Sequence, residues 1–152
     1  MLKKMSVLFA VGVVFVLTAC GGRRETTTVC VNNGVDFFGV GVLGNMTMEI
    51  EAIGDRVTVE NARIVFDFEG EEDYIDEIVE SIEFFAMMAV DGLTVDIEVE
   101  GTNVSLIMIT DYDAMSEEDL RVMLEGYDFI SLELTVEALE EDGATCTVVD
   151  ND

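Results

Sequence analysis

The chain contains no histidine. Without imidazole there is no Ser-His or Cys-His nucleophile and no general base whose ordinary pKa lies near neutral pH. Zinc is disfavoured on the same ground, because its sites use three or four Cys or His ligands. Tryptophan is absent as well, so only Tyr74, Tyr112 and Tyr127 offer a polar-tipped platform for stacking a sugar. Basic residues are scarce. Lys and Arg number 7 against 33 Asp and Glu, the formal net charge is −26, and beyond Arg24 only Arg56, Arg63 and Arg121 are basic. Nucleic acid and anionic lipid, which are bound by Lys and Arg neutralising phosphate, are excluded as partners. Carboxylates are so abundant that any pair suited to glycoside chemistry carries no information. The expectation is a non-enzymatic protein with no cofactor.

The N-terminus is more specific. Lys3 and Lys4 precede an apolar run, 5–19, that gives way to Ala19, Cys20, Gly21 and Gly22, the charged, apolar and small-residue order of an export signal. A spanning helix needs about 20 apolar residues to cross a ~30 Å hydrocarbon core. This run is shorter, is interrupted by Ser6 and Thr18, and ends in Gly-Gly-Arg-Arg. Leu17, Thr18, Ala19 and Cys20 resemble the lipobox of bacterial lipoproteins. That resemblance implies cleavage before Cys20 and a diacylglyceryl group on its thiol, which holds the protein to the outer side of the cell membrane. An ordinary secretory signal would instead leave a free thiol beside the cleavage site, a reactive liability. The expected organisation is a signal over 1–19, a lipidated cysteine and polar tether over 20–28, and one domain over 29–149.

Within that domain the apolar residues are abundant and periodic, which argues against disorder despite the charge. Extended segments are expected at 29–31 and 38–43 around the turn-prone Asn32-Asn33-Gly34. Met46, Met48, Ile50 and Ala52 alternate with polar residues as in a half-buried strand. After a turn at Gly54-Asp55, Val57 and Val59 continue that alternation, whereas Ala62, Ile64, Phe66 and Phe68 follow the opposite parity, so a bulge is expected near Asn61. Ile75, Ile78, Ile82, Phe85 and Ala89 fall on one helical stripe, which also draws Phe84-Phe85 and Met87-Met88 into the core. Leu93, Val95, Ile97 and Val99 alternate strongly, and Gly101-Thr102-Asn103 turns the chain into a partner strand. Ser116 with Asp119 resembles a capping box before a second helix, and a third is expected over 131–141, stopped by Gly143. The sum is an α+β domain, an antiparallel sheet with helices on one face, in the order β-β-β-α-β-β-α-α.

Several short segments then carry a resemblance. Thr27-Thr28-Val29-Cys30, Gly54-Asp55-Arg56-Val57-Thr58, Ile130-Ser131-Leu132-Glu133, Ala138-Leu139-Glu140 and Gly143-Ala144-Thr145-Cys146 together resemble the YehR-like lipoproteins, a bacterial family of unknown function. The resemblance runs from Thr27 to Cys146 and includes the lipobox. It implies an extracytoplasmic α+β lipoprotein domain and assigns no catalytic or binding residue.

With Cys20 lipidated, Cys30 and Cys146 remain as an even pair in an oxidising compartment, and a disulfide joining the two ends of the domain is expected. Two buried thiols are the alternative. Asp111-Tyr112-Asp113 starts like a calcium loop but puts Met115 at the third ligand position and lacks the central glycine. Two function classes follow. One is a lipid-anchored binding or accessory module of the cell envelope, meeting a protein or small ligand through a pocket or a sheet edge, for which residues 37–43 are a candidate. The other is a passive acidic surface protein that holds divalent cations weakly, with Glu49, Glu51, Asp96, Glu98 and Glu100 as candidate ligands. A pocket or uncovered edge favours the first; a filled core with evenly spread acids favours the second.

Overall fold

Alternation of apolar and polar residues yields six strands, β1 (Glu25–Val35), β2 (Gly44–Ile53), β3 (Arg56–Asp67), β4 (Leu93–Glu100), β5 (Asn103–Asp111) and β6 (Thr145–Val149), in a computed structural model that describes residues 24–36, 39 and 41–149. They form one sheet in the order β4-β5-β3-β2-β1-β6, with every neighbouring pair antiparallel. The α+β class and the antiparallel sheet are as the periodicity predicts. The signal, Cys20, Phe37, Phe38 and Val40 lie outside the described residues.

Four features of the sheet depart from expectation. β1 starts at Glu25, so residues 25–28, read as tether, pair with Ile53–Ile50, and Thr27 and Thr28 also pair with Val149 and Val148. Asn32-Asn33-Gly34 is not a turn: β1 runs through it, and the register slips by one residue between Asn32 and Val35. A bulge accommodates the same local preference while the pairing continues. β6 closes the sheet beside β1, a strand absent from the expected order. Its five residues are too short a run to separate from a loop by periodicity, and it is held in place by a partner 116 residues away. The second bulge lies at Thr58, between the pairs Ala52 with Val57 and Glu51 with Val59, rather than near Asn61.

Three helices, α1 (Ile75–Met87, after a 3₁₀ turn at Glu72–Tyr74), α2 (Glu117–Leu124) and α3 (Leu132–Glu141), accompany the sheet. Ile78 and Ile82 of α1 pack with Phe66, Phe68, Val104 and Leu106 in one core cluster. A second cluster, around Cys30, Ile50, Val57, Tyr112 and Met115, takes in Leu120 of α2 and Leu132, Val136 and Leu139 of α3. Ser116 Oγ accepts from the amide of Asp119, the N-cap half of a capping box, while the Asp119 carboxylate accepts from the Ser116 hydroxyl. Phe84, Phe85, Met87 and Met88 are exposed, at 59, 48, 77 and 58% of their full areas, and do not join the core. α1 packs along β4, the last strand of the sheet, and among the described residues no further strand lies beyond that edge to cover them.

Candidate functional site

The bulge at Thr58 fixes what reaches the helix-covered face of β3. With one extra residue inserted there, Val57 faces the core, Val59 turns to the bare face, and Glu60 takes the core-face position between Ile50 of β2 and Thr110 of β5. A carboxylate thus stands in the same row as Ala62, Ile64 and Phe66. The first residue after β5, Tyr112, is bound to β3 by its amide, which donates to the Thr58 carbonyl at 3.0 Å. Its ring is buried, and its hydroxyl donates to Glu60 Oε2 at 2.8 Å.

Glu60 lies at the floor of a groove of about 430 Å³. Met48 of β2 adjoins it, and the walls come from the end of α2, the connection 125–130 and one flank of α3, through Leu124, Phe129, Ile130, Leu134 and Ala138. Glu125, in the left-handed conformation with φ 47°, ends α2 and turns the chain toward Tyr127 and Phe129 at the rim. Burial pushes the Glu60 carboxyl above its ordinary value, partly offset by the Tyr112 hydrogen bond. Burial together with the neighbouring Glu60 charge pushes the Tyr112 phenol up in turn. Among the described residues the ion pairs are Arg56 with Asp113 and Arg63 with Glu98, so no described cation neutralises Glu60.

The groove's outer wall is pinned by two of the segments singled out in the sequence. The Ile130 carbonyl accepts from the amide of Val57, and the Leu132 amide donates to the Asp55 carbonyl. The Asp55 carboxylate accepts from the Glu133 amide at 2.9 Å and the Ser131 hydroxyl at 2.8 Å. Those bonds hold its pKa below the ordinary value, the Glu133 amide contributing most. Gly54-Asp55-Arg56 and Ile130-Ser131-Leu132-Glu133, far apart in the chain, are therefore one structural unit that positions the N-terminus of α3.

Cys30 and Cys146 are disulfide-bonded, directly opposite one another on β1 and β6. The five acids considered as cation ligands share the face of the sheet turned away from the helices but not one site. Glu49 lies on β2, with Asn61 and Ile109 between it and Thr94 of β4. Three strand spacings correspond to roughly 14 Å. Arg63 stands on that face too and binds Glu98 at 2.8 Å. No group of three or more Cys, Asp or Glu with metal-holding geometry occurs among the described residues.

Glu60 was not singled out in the sequence, and Tyr112 only as an aromatic and as part of Asp111-Tyr112-Asp113. One signal did point to Glu60: the parity of Phe68, Phe66, Ile64 and Ala62, continued backwards, lands on it. Reading Val59 as inward hid that. In the comparisons with known proteins, no protein-family model matches the chain, and no curated protein matches it significantly. A solved NMR structure of a protein from Streptococcus pneumoniae TIGR4 is similar in fold, with a TM-score of 0.51 over 84% of this chain and 88% of that one, at 12% sequence identity.

Proposed function

We propose that the protein is an extracytoplasmic bacterial lipoprotein, related to the YehR-like lipoproteins, anchored through lipid on Cys20 and acting as a non-enzymatic binding module of the cell envelope. The observation that carries the binding role is the groove beneath α3, apolar in its walls and of the size of small-molecule sites, with a single carboxylate, Glu60, at its floor. The Cys30–Cys146 disulfide supports an oxidising compartment. The scattering of the acids over a bare sheet face supports the passive cation-holding alternative less well.

Both halves are testable. Cys20→Ala expressed in a bacterial host moves the protein from the membrane to the soluble fraction; persistence in the membrane rules out the lipobox reading. The full chain in nanodiscs of zwitterionic lipid takes up indole, an uncharged apolar probe, above the level of empty nanodiscs in equilibrium dialysis. Ala138→Phe, which fills the groove, abolishes the excess. Equal uptake by the variant counts against the groove.

A further inference from the structure

We propose that the groove selects aromatic amines: compounds whose flat apolar body lies between α3 and the connection 125–130 and whose ammonium group meets Glu60. The inference rests on the binding role proposed for the groove and adds the chemistry of its ligand.

Three observations converge on that class. The first is the state of Glu60. Tyr112 supplies one hydrogen bond to one carboxylate oxygen, no described cation pairs with the group, and Glu60 lines the groove. A carboxylate accepts several hydrogen bonds, so Glu60, half-buried at the groove, keeps acceptor sites open to a further donor. An ammonium provides both the charge and the N–H donors, in the shorter and stronger class of charge-assisted bonds. The second is the sign of everything around it. The ionisable groups lining the groove, apart from the tyrosine, are Glu60 and Glu125, and the net charge is −26. A fatty acid, a phosphate ester or any other anion is repelled both at the floor and at long range, whereas a cation is concentrated there. The third is the wall chemistry. Met48 and Met123 adapt to irregular apolar shapes, and Tyr127 and Phe129 at the rim, 69% and 42% exposed, add aromatic surface for the flat body of a ligand.

The absence of tryptophan from the chain makes a clean test, because the chain adds no indole signal to that of an indole probe once empty nanodiscs are subtracted. Tryptamine, tryptophol and indole-3-propionate share one ring system and carry a cationic, a neutral and an anionic head. Each is titrated against the full chain in zwitterionic nanodiscs at pH 7 and 0.15 M sodium chloride, with fluorescence anisotropy as the readout. Tryptamine is expected to bind at least about tenfold more tightly than tryptophol, the order of one hydrogen bond to a charged group, and indole-3-propionate the most weakly. Glu60→Gln brings tryptamine down to the level of tryptophol and leaves tryptophol unchanged; Glu60→Met does the same should the glutamine variant fold poorly. Ala138→Phe removes the binding of all three. Equal affinities for tryptamine and tryptophol, or a preference for tryptamine that survives in both Glu60 variants, overturn the inference while leaving the groove a binding site. Binding by none of the probes overturns the groove's role and the inference with it.

Discussion

Two carboxylates of this chain are perturbed in opposite directions, for reasons visible in their surroundings. Glu60 is pushed up by burial; Asp55 is held down by the Glu133 amide and the Ser131 hydroxyl. Their effects on stability therefore have opposite signs and separate pH windows. A raised folded-state pKa means that the contribution of Glu60 is complete below its unfolded value, about 4.3, and is lost as pH rises through the higher folded value. A lowered one means that the contribution of Asp55 is complete above its unfolded value, about 3.9, and is lost as pH falls through the lower folded value. Melting temperature followed from pH 7 downward should show Glu60→Gln flattening a rise that lies above about pH 4.3, and Asp55→Asn flattening a fall that lies below about pH 3.9. Asp55→Ala also removes bonds to the first turn of α3, comparable to losing an N-cap, and should lower the melting temperature at pH 7. An Asp55→Ala melting temperature equal to that of the parent would mean that Ser131, whose hydroxyl accepts from the Leu134 amide, caps α3 unaided.

At the scale of elements, the closure of the sheet depends on β6. This short strand pairs only with β1 among the described strands, and the disulfide crosses that pairing one pair from its end. A loop of this length corresponds to about 4 to 5 kcal/mol in the chain-entropy description, and loss of a native disulfide from a small secreted domain costs about 2 to 5 kcal/mol. The double variant Cys30→Ala, Cys146→Ala should accordingly melt at least about 8 °C lower than the parent under oxidising conditions. Amide exchange of 145–149 should accelerate ahead of that of β3, which lies between two partners. Uniform acceleration across the sheet would instead make β6 part of one cooperative unit. Local patterns located most of these elements. The four-residue alternation in β4 and the capping box at Ser116 arise from neighbours in sequence, and both are where the pattern predicts. The bulge at Thr58 is different, because either of two parities suits Val57 and Val59 until the pairing with β2 chooses between them.

Taken as a whole, the molecule is an acidic shell on a one-sided fold. Helices cover one face of the sheet; the other carries Glu49, Glu51, Asp96, Glu98 and Glu100 on separated strands with Arg63 among them. Repulsion distributed in this way responds to ionic strength rather than to the identity of a cation. Melting temperature should thus rise with salt, and by equal amounts in sodium, magnesium and calcium chloride at matched ionic strength. An additional shift in calcium would require mass action on a site that the described residues do not form. The sequence by itself determined the composition of this shell, the exclusion of histidine chemistry, the helices and the main strands, because charge and periodicity are properties of residues and their near neighbours. Only the tertiary structure decided which face stays bare, that Phe84 and Phe85 extend past the last strand, that 145–149 joins β1, and that Glu60 stands inside a groove beside Tyr112. Each of these depends on register between segments distant in the chain, and a one-residue slip in register exchanges the two faces of a strand.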